Sequence, residues 1–158
     1  MAVDCYLKLD SIEGEAADAK HKGEVQLLSY SWGGHQISSV AGTGGSGAGK
    51  VNLADLTITK YLDKASPQLF KALCAGTHIK TGTLTAIKAG SSGSPFLKIT
   101  FDELFVTSLQ TSASTEVPVE TVSFSYNKVK IEYHTQNEQG ILTATGAVSY
   151  DLKQNVVS

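Results

Sequence analysis

Apolar and polar residues alternate along most of this chain, and that period of two is the feature that most constrains its fold. In the first segment Val3, Cys5 and Leu7 alternate with Asp4 and Tyr6, which is typical of a strand with one buried face. Gly, Ser and Thr together supply 47 of the 158 residues, whereas Pro supplies only three. The pattern therefore predicts antiparallel strands joined by many turns.

A single segment, residues 66–75, departs from this period and predicts a helix. Ser66 suits the N-cap, Pro67 suits the first helical position, and Gly76 suits a left-handed C-cap. An apolar stripe is formed by Leu69, Phe70, Leu73 and Cys74. A helix of about ten residues is too short to be stable alone, so we expect this stripe to dock on the sheet.

Three strand segments give more detailed predictions. Across residues 24–32 we expect the aromatic and aliphatic face to be core, and it consists of Leu28, Tyr30 and Trp32. In residues 121–133 the apolar positions change from even to odd at Asn127 and Lys128, which predicts a β-bulge there. The last strand places one set of residues on a single face: Leu142, Ala144, Gly146, Val148 and Tyr150.

These elements predict one domain spanning residues 1–158. Neither sequence repeats nor a second helical block interrupt the strand pattern, and the length suits a single core. The expected architecture is mainly β, an antiparallel barrel or two-sheet sandwich flanked by the one short helix at about 66–75.

Composition excludes several classes of function. The formal net charge is −2 and all 13 basic residues are lysines, which argues against nucleic-acid binding because arginine forks read bases and phosphates best. No apolar run approaches the roughly 20 residues of a membrane span, so we expect no membrane insertion. The first ten residues lack the pattern of a secretory signal. Cys5 and Cys74 are interpreted as two buried thiols.

The sequence contains short matches to catalytic motifs, but their context is wrong. Residues 42–50 fit GxGxxG and GxxxxGK, yet Val51 stands where a magnesium-binding Ser or Thr is needed, and a strand pattern follows instead of a helix. The closest pair of histidines, His21 and His35, is 14 residues apart, so no two histidines share a helix face as metal ligands. Asp102 and Glu103 are adjacent and point to opposite faces of a strand. We therefore predict neither a catalytic residue, a cofactor nor a metal site.

A long glycine-rich segment, residues 33–50, favours an interaction protein. It has seven glycines, and Ile37 and Val40 are its longest aliphatic side chains; loops of this length in compact domains are usually functional or disordered. Two alternatives stay open: a small hydrolase with dispersed Ser and His, and a β-barrel that binds carbohydrate or lipid through Tyr and Trp.

Several blocks taken together resemble a known family. The most specific is residues 55–67, DLTITKYLDKASP, preceded by residues 25–33, VQLLSYSWG, and by residues 6–10, YLKLD, with Gly14, Glu15 and His21. Further matches follow in order: Cys74, Gly76, His78, residues 88–90, residues 120–122, Tyr150 and Asp151. In this order and spacing the chain resembles the haemolysin-coregulated protein (Hcp) family of bacterial type VI secretion systems.

The resemblance implies a β-barrel with a flanking helix, a homohexameric ring, and rings that stack into a secreted tube. It implies a contractile sheath around the tube, a valine-glycine-repeat spike at its tip and small effector proteins carried or chaperoned in the ring lumen. It also implies a structural role rather than an enzyme, starting in the bacterial cytoplasm and leaving it without a signal peptide. We expect no fused C-terminal effector domain, because the chain stops at Ser158.

Two sets of residues become candidate contacts. We expect the glycine-rich loop to cross onto a neighbouring subunit or ring, through Gly42, Gly44, Gly45, Gly47, Gly49 and Lys50. Ser29 and Ser31 lie on the face opposite Leu28, Tyr30 and Trp32, and we expect them to face the lumen and contact effectors.

Overall fold

The computed structural model describes residues 2–36, 38–39, 47–48, 50–88, 93–114 and 116–158. These residues form strands and one helix. The elements in chain order are β1 Val3–Leu9, β2 Val25–Leu27, β3 Ser29–Ser31, β4 Gly34–His35, β5 Ser38–Ser39, β6 Gly47–Ala48, β7 Asn52–Leu53, β8 Leu56–Tyr61, α1 Ser66–Ala75, β9 Ile79–Lys88, β10 Leu97–Ser112, β11 Val119–Ser125, β12 Lys128–Gln136, β13 Leu142–Asp151 and β14 Val156–Val157.

Ten of the described strands form two antiparallel sheets that share β10, and the other four pair as two two-stranded sheets, β4 with β7 and β5 with β6. The first sheet has the order β2-β1-β9-β10-β12-β13-β14, and the second has the order β10-β11-β8-β3. Within the described residues this pairing does not close into a barrel, so the two-sheet form of the predicted architecture is the correct one. Antiparallel pairing throughout and the single short helix are as predicted.

The core lies between the two sheets and under α1. Leu7 and Val25 from the first sheet, Ile58 and Phe124 from the second, and Leu69 from α1 belong to one buried cluster. A smaller cluster of Tyr6, Ala16 and Ile87 packs beneath the loop after β1.

The long strand β10 turns the corner from one sheet to the other. Its residues 97–102 pair with β12, and its residues 105–112 pair with β11. At the corner Glu103 adopts a positive φ of 55° and its carboxylate accepts a hydrogen bond from the Asn127 side chain. The buried positions of β10 change there from odd, at Phe101, to even, at Leu104.

The same corner corrects the predicted bulge at Asn127 and Lys128. The change of phase is real, but β11 ends at Ser125 and β12 begins at Lys128, in the other sheet. The register of the two strands against β10 does not shift at this point; it shifts instead between Val106 and Ser108. The phase changes because the chain moves between sheets whose inner faces look in opposite directions.

The second predicted strand is also divided, and the division overturns its predicted core face. Leu28 separates β2 from β3 and is 49% exposed, whereas Val25 and Leu27 are buried. Tyr30 and Trp32 are only partly buried, although both pack against the core. The strand changes sheets at Leu28, so no single face runs along its length.

The helix α1 has the predicted bounds but a different cap and a different stripe. Ala65 is the N-cap, and its methyl side chain cannot accept a hydrogen bond from the first turn, while Gly76 ends the helix at a left-handed φ of 64° as predicted. The buried residues of α1 are Leu69 and Ala72, and Phe70 is 56% exposed. The helix packs against β10 with this narrower face.

Candidate functional site

A buried ionic network joins α1 to the second sheet. Lys60 is fully buried on β8 and faces Glu120 across the β8–β11 ladder, with 2.8 Å between Nζ and Oε2. The same ammonium lies 2.8 Å from Asp63 Oδ1 and donates to Ser66 Oγ at 3.1 Å. The Ser66 hydroxyl donates to Glu120 at 2.7 Å, so the residue predicted as N-cap fixes the helix from within the network.

This network was not singled out from the sequence, although a signal existed. Leu56, Ile58 and Lys60 occupy successive inward positions of β8, and a charged side chain at an inward position needs a buried partner. The pattern indicates such a partner but not which acid supplies it, because that depends on the register of β8 with β11.

Described residues on the two sides of the glycine-rich segment pair as two short antiparallel ladders, β4 with β7 and β5 with β6, and we call these eight residues the arm. Gly34 pairs with Leu53 and His35 with Asn52, and farther out Ser38 pairs with Ala48 and Ser39 with Gly47. The prediction of a loop is therefore wrong for these paired residues. The backbone hydrogen bonds of these ladders hold the paired residues together.

The base of the arm is anchored by a chain of hydrogen bonds. The Trp32 indole donates to the Tyr126 hydroxyl at 2.6 Å, and that hydroxyl donates to the Ala54 carbonyl at 2.8 Å. The Ala54 amide in turn donates to the Gly33 carbonyl at 2.8 Å. Burial raises the pKa of Tyr126, and the charge of Asp55 adds to this effect, whereas the Trp32 hydrogen bond opposes it. The arm thus leaves the body from a fixed root.

The predicted contact residues of the arm are only partly located. Gly47 lies in β6, and Lys50 is exposed just before β7. Gly42, Gly44, Gly45 and Gly49 lie outside the described residues. The residues after Lys50 form a strand, so the phosphate-loop motifs lack the helix that they require, as the sequence predicted.

Ser29 and Ser31 are exposed on β3, the strand that ends the second sheet. Tyr30 between them is half-buried against the core. The two serines therefore share one outward face of this sheet, which is the orientation that the lumen prediction requires.

Exposed apolar side chains lie in separate places. A groove of about 650 Å³ lies between the root of the arm and the outer strands of the first sheet, and its lining includes Trp32, Ile131 and Val148. A second group lies where β8 ends and β11 begins; we call it the end patch, and it consists of Leu28, Tyr61, Leu62 and Val117. Its members are 49%, 51%, 40% and 59% exposed.

Other polar candidates do not combine into a reactive site. His21 stacks on Tyr6 with 4.6 Å between ring centroids and lies 2.6 Å from Glu24, and within the described ranges no group of His, Cys, Asp and Glu could hold a metal. The predicted burial of both thiols is wrong: Cys74 is exposed and Cys5 is half-buried. Burial, with a contribution from Asp4, raises the pKa of Cys5.

The fold and its surfaces define a class: a small two-sheet β-protein with an antiparallel arm and two apolar surfaces, the groove and the end patch, that its own core leaves uncovered. Isolated monomers rarely expose contiguous apolar patches unless these contact a partner. In the part of the chain that is described, no helix is both long and apolar enough to cross a membrane.

Comparisons with known proteins identify the family. Residues 6–133 match the family model described as type VI secretion system effector, Hcp. The chain is 38% identical over 161 residues to protein hcp1 of Pseudomonas aeruginosa, covering 99% of each. It superposes on a solved structure of a type six secretion system protein with a TM-score of 0.94 and 30% identity, covering 99% of this chain and 100% of that one. For Hcp1 from Salmonella typhimurium the TM-score is 0.79 and the identity 34%, again covering 99% of this chain and 100% of that one.

The chain therefore belongs to the Hcp family of type VI secretion system proteins. It is a tube component of that machine, and the family is a structural and secreted one. The predicted family, fold class and general function are confirmed.

Proposed function

We propose that this chain forms a homohexameric ring, that the rings stack into the inner tube, and that the lumen carries small effectors. The observation that carries this proposal is the separation of the exposed apolar surfaces: the end patch and the groove lie on different parts of one subunit. A subunit that covers both surfaces must contact more than one neighbour. Head-to-tail contacts of this kind generate rings where the rotation closes.

The mass of the purified protein tests the ring. Six subunits of 16.7 kDa give about 100 kDa, and native mass measurement resolves this from the monomer expected of a small hydrolase or ligand-binding barrel. A monomer at all concentrations that keep the protein soluble would contradict the proposal.

The serines of β3 support the effector-carrying part of the proposal. Ser29 and Ser31 are exposed, small and uncharged, which suits a wall that accepts unrelated cargo. Ser31→Gln should lower the amount of effector protected in co-expression while the ring keeps its mass. Ser114→Gln, at an exposed serine in the connection between β10 and β11, is the matched control. Unchanged protection in Ser31→Gln would remove these serines from the cargo surface.

The arm supports contact with another copy. It is held at its root by Trp32, Tyr126 and Ala54, so a partner that binds it does not have to order the root. Deleting residues 42–49 should block tube formation while the subunit stays folded. Intact tubes after the deletion would exclude the arm from assembly.

The remaining partners follow from family membership as proposals. The tube would meet a valine-glycine-repeat spike at its end and a contractile sheath along its outside. The protein would begin in the bacterial cytoplasm and leave through the machine without a signal peptide. Fractionation of cells with and without an active sheath tests this route, which requires export to depend on the sheath.

A further inference from the structure

The first sheet extends beyond the core, and part of its apolar inner face stays uncovered. Strands β12, β13 and β14 continue this sheet past β10, the strand at which the second sheet begins. One apolar row crosses the first sheet from strand to strand on the same face, in the order Val25, Leu7, Leu84, Ile99, Ile131, Val148. The first four members are at most 1% exposed, whereas Val148 is 53% exposed. The row therefore passes from the core into an open surface.

The root of the arm turns this open surface into the groove of about 650 Å³. Trp32 and Leu53 line it from the root of the arm, and Ile131, Val148 and Tyr150 line it from β12 and β13. These side chains are aliphatic or aromatic, and the volume is within the roughly 300–1,000 Å³ typical of sites for small organic ligands. The groove can therefore enclose the apolar part of a small molecule.

The charged lining of the groove is a single cation. Among the described residues that line it, Lys50 is the only Lys, Asp or Glu, and Lys50 itself is exposed just before β7. Gln36, Ser149 and Asn155 add uncharged polar groups. Opposite charges across a binding surface fix the orientation of the molecule that binds. An elongated apolar molecule with one negative end therefore complements the groove better than a neutral or a cationic one.

We propose that the groove of the free subunit binds a free fatty acid, an unbranched alkyl chain that ends in a carboxylate. The chain covers the open end of the apolar row at Ile131 and Val148, and the carboxylate pairs with the ammonium of Lys50. A neighbouring subunit that covers the groove competes with this ligand, which stabilises the free subunit by mass action. The competition rests on the proposed ring, whereas the binding does not.

The fluorescence of one residue reports the occupancy of the groove. Trp32 is the only tryptophan in the chain and lines the groove, so its emission should change when decanoate, dodecanoate or tetradecanoate is added below its micelle concentration. The Kd should fall roughly fourfold for each added methylene, which is equivalent to a free-energy gain of about 0.8 kcal/mol. Dodecyltrimethylammonium has a chain of similar length and the opposite charge, and it should bind roughly tenfold more weakly than dodecanoate.

Matched variants separate the groove from apolar surface in general. Val148→Asp should weaken dodecanoate binding roughly tenfold, because it removes apolar lining and adds a like charge. Leu28→Asp, at an end-patch residue that is 49% exposed against 53% for Val148, should leave the Kd unchanged. Lys50→Glu should reverse the preference between dodecanoate and dodecyltrimethylammonium. The three substituted side chains are exposed, so circular dichroism should show an unchanged fold.

Native mass, measured before and during the titration, separates the ligand from the assembly. Loss of ring mass as dodecanoate binds would support the competition, and binding to a ring of unchanged mass would overturn it. No fluorescence change at any chain length, with the protein diluted from the micromolar to the nanomolar range, would overturn the binding itself. Equal Kd values for the Val148→Asp and Leu28→Asp variants would overturn it as well. A monomer before any ligand is added would overturn the proposed ring and let the binding result stand.

Discussion

Replacing the buried Lys60 should destabilise the subunit far more than replacing an exposed lysine four residues away. Lys60→Met keeps much of the side-chain volume but removes the ammonium that lies 2.8 Å from both Glu120 and Asp63. Glu120 is 1% exposed and keeps only the Ser66 hydroxyl among the donors of this network. Removing one partner of a buried ion pair costs about 3–5 kcal/mol, because the remaining charge is neither solvated nor neutralised.

The structure provides a matched control for this prediction. Lys64 pairs with Glu13 at 3.2 Å, but the two side chains are 53% and 73% exposed. Lys64→Met should therefore change the free energy of unfolding by less than about 1 kcal/mol. Glu120→Gln should cost about 1–3 kcal/mol, since Lys60 keeps Asp63 and the amide still offers an acceptor oxygen.

Urea unfolding followed by circular dichroism measures these differences. The protein concentration must be equal for all variants, because ring assembly stabilises the folded subunit. For a chain of this length each kcal/mol corresponds to about 2–4 °C in Tm, so Lys60→Met should melt roughly 6–20 °C lower. The double variant Lys60→Met, Glu120→Gln should lose less free energy of unfolding than the two single variants lose together, since the two side chains are in contact. A Lys60→Met protein as stable as Lys64→Met would refute the assignment of this network as the anchor of α1.

Three further predictions concern the arm and the thiols. Tyr126→Phe should lower the free energy of unfolding by about 1–3 kcal/mol, because it removes the hydrogen bonds to Trp32 and Ala54. The pKa of Tyr126 is raised in the folded state, so the stability that the neutral phenol contributes is present below pH 10 and is lost as the pH rises through that pKa. A spectroscopic pH titration of the unmodified protein and the variant detects this difference. Gly34→Ala should speed amide hydrogen exchange in the arm and weaken assembly, because the added Cβ would lie 2.7 Å from a methyl group of Leu53. Gly33→Ala is the control: its added Cβ would have no heavy atom within 4 Å, so its amide exchange should match that of the unmodified protein. A maleimide should label the exposed Cys74 well before Cys5, because Cys5 is half-buried and its pKa is raised. In the unfolded protein the two thiols should react at equal rates, which serves as the reference. Equal labelling rates in the folded protein would contradict the difference in exposure between the two thiols.

Local patterns predicted most of the elements, because strand period and helix capping depend on neighbouring residues. The helix has the predicted bounds, Ser66–Ala75, since Pro67 fixes φ in the first turn and Gly76 readily adopts the left-handed φ that ends the helix. The two halves of β10, residues 97–102 and 105–112, pair in different sheets. What the sequence did not provide was the sheet to which each half belongs, and for that reason the corner opposite Asn127 was interpreted as a bulge.

Two of the wrong predictions share a physical cause: they assume that an apolar side chain is buried within its own subunit. Leu28 and Phe70 follow the apolar pattern of the sequence, yet they are 49% and 56% exposed. Periodicity measures which residues share a face, but not what covers that face. Lys60 is the converse case. Its charged side chain is fully buried, because Glu120 and Asp63 neutralise the ammonium.

The exposed residues therefore carry information about assembly that their predicted burial concealed. An apolar face that the folded subunit leaves uncovered is typical of a surface that contacts a partner. In a protein of a tube-forming family we expect that partner to be another copy of the chain. Leu28 lies on the end patch and Val148 lines the groove, and these are the two surfaces that the proposed head-to-tail assembly would cover.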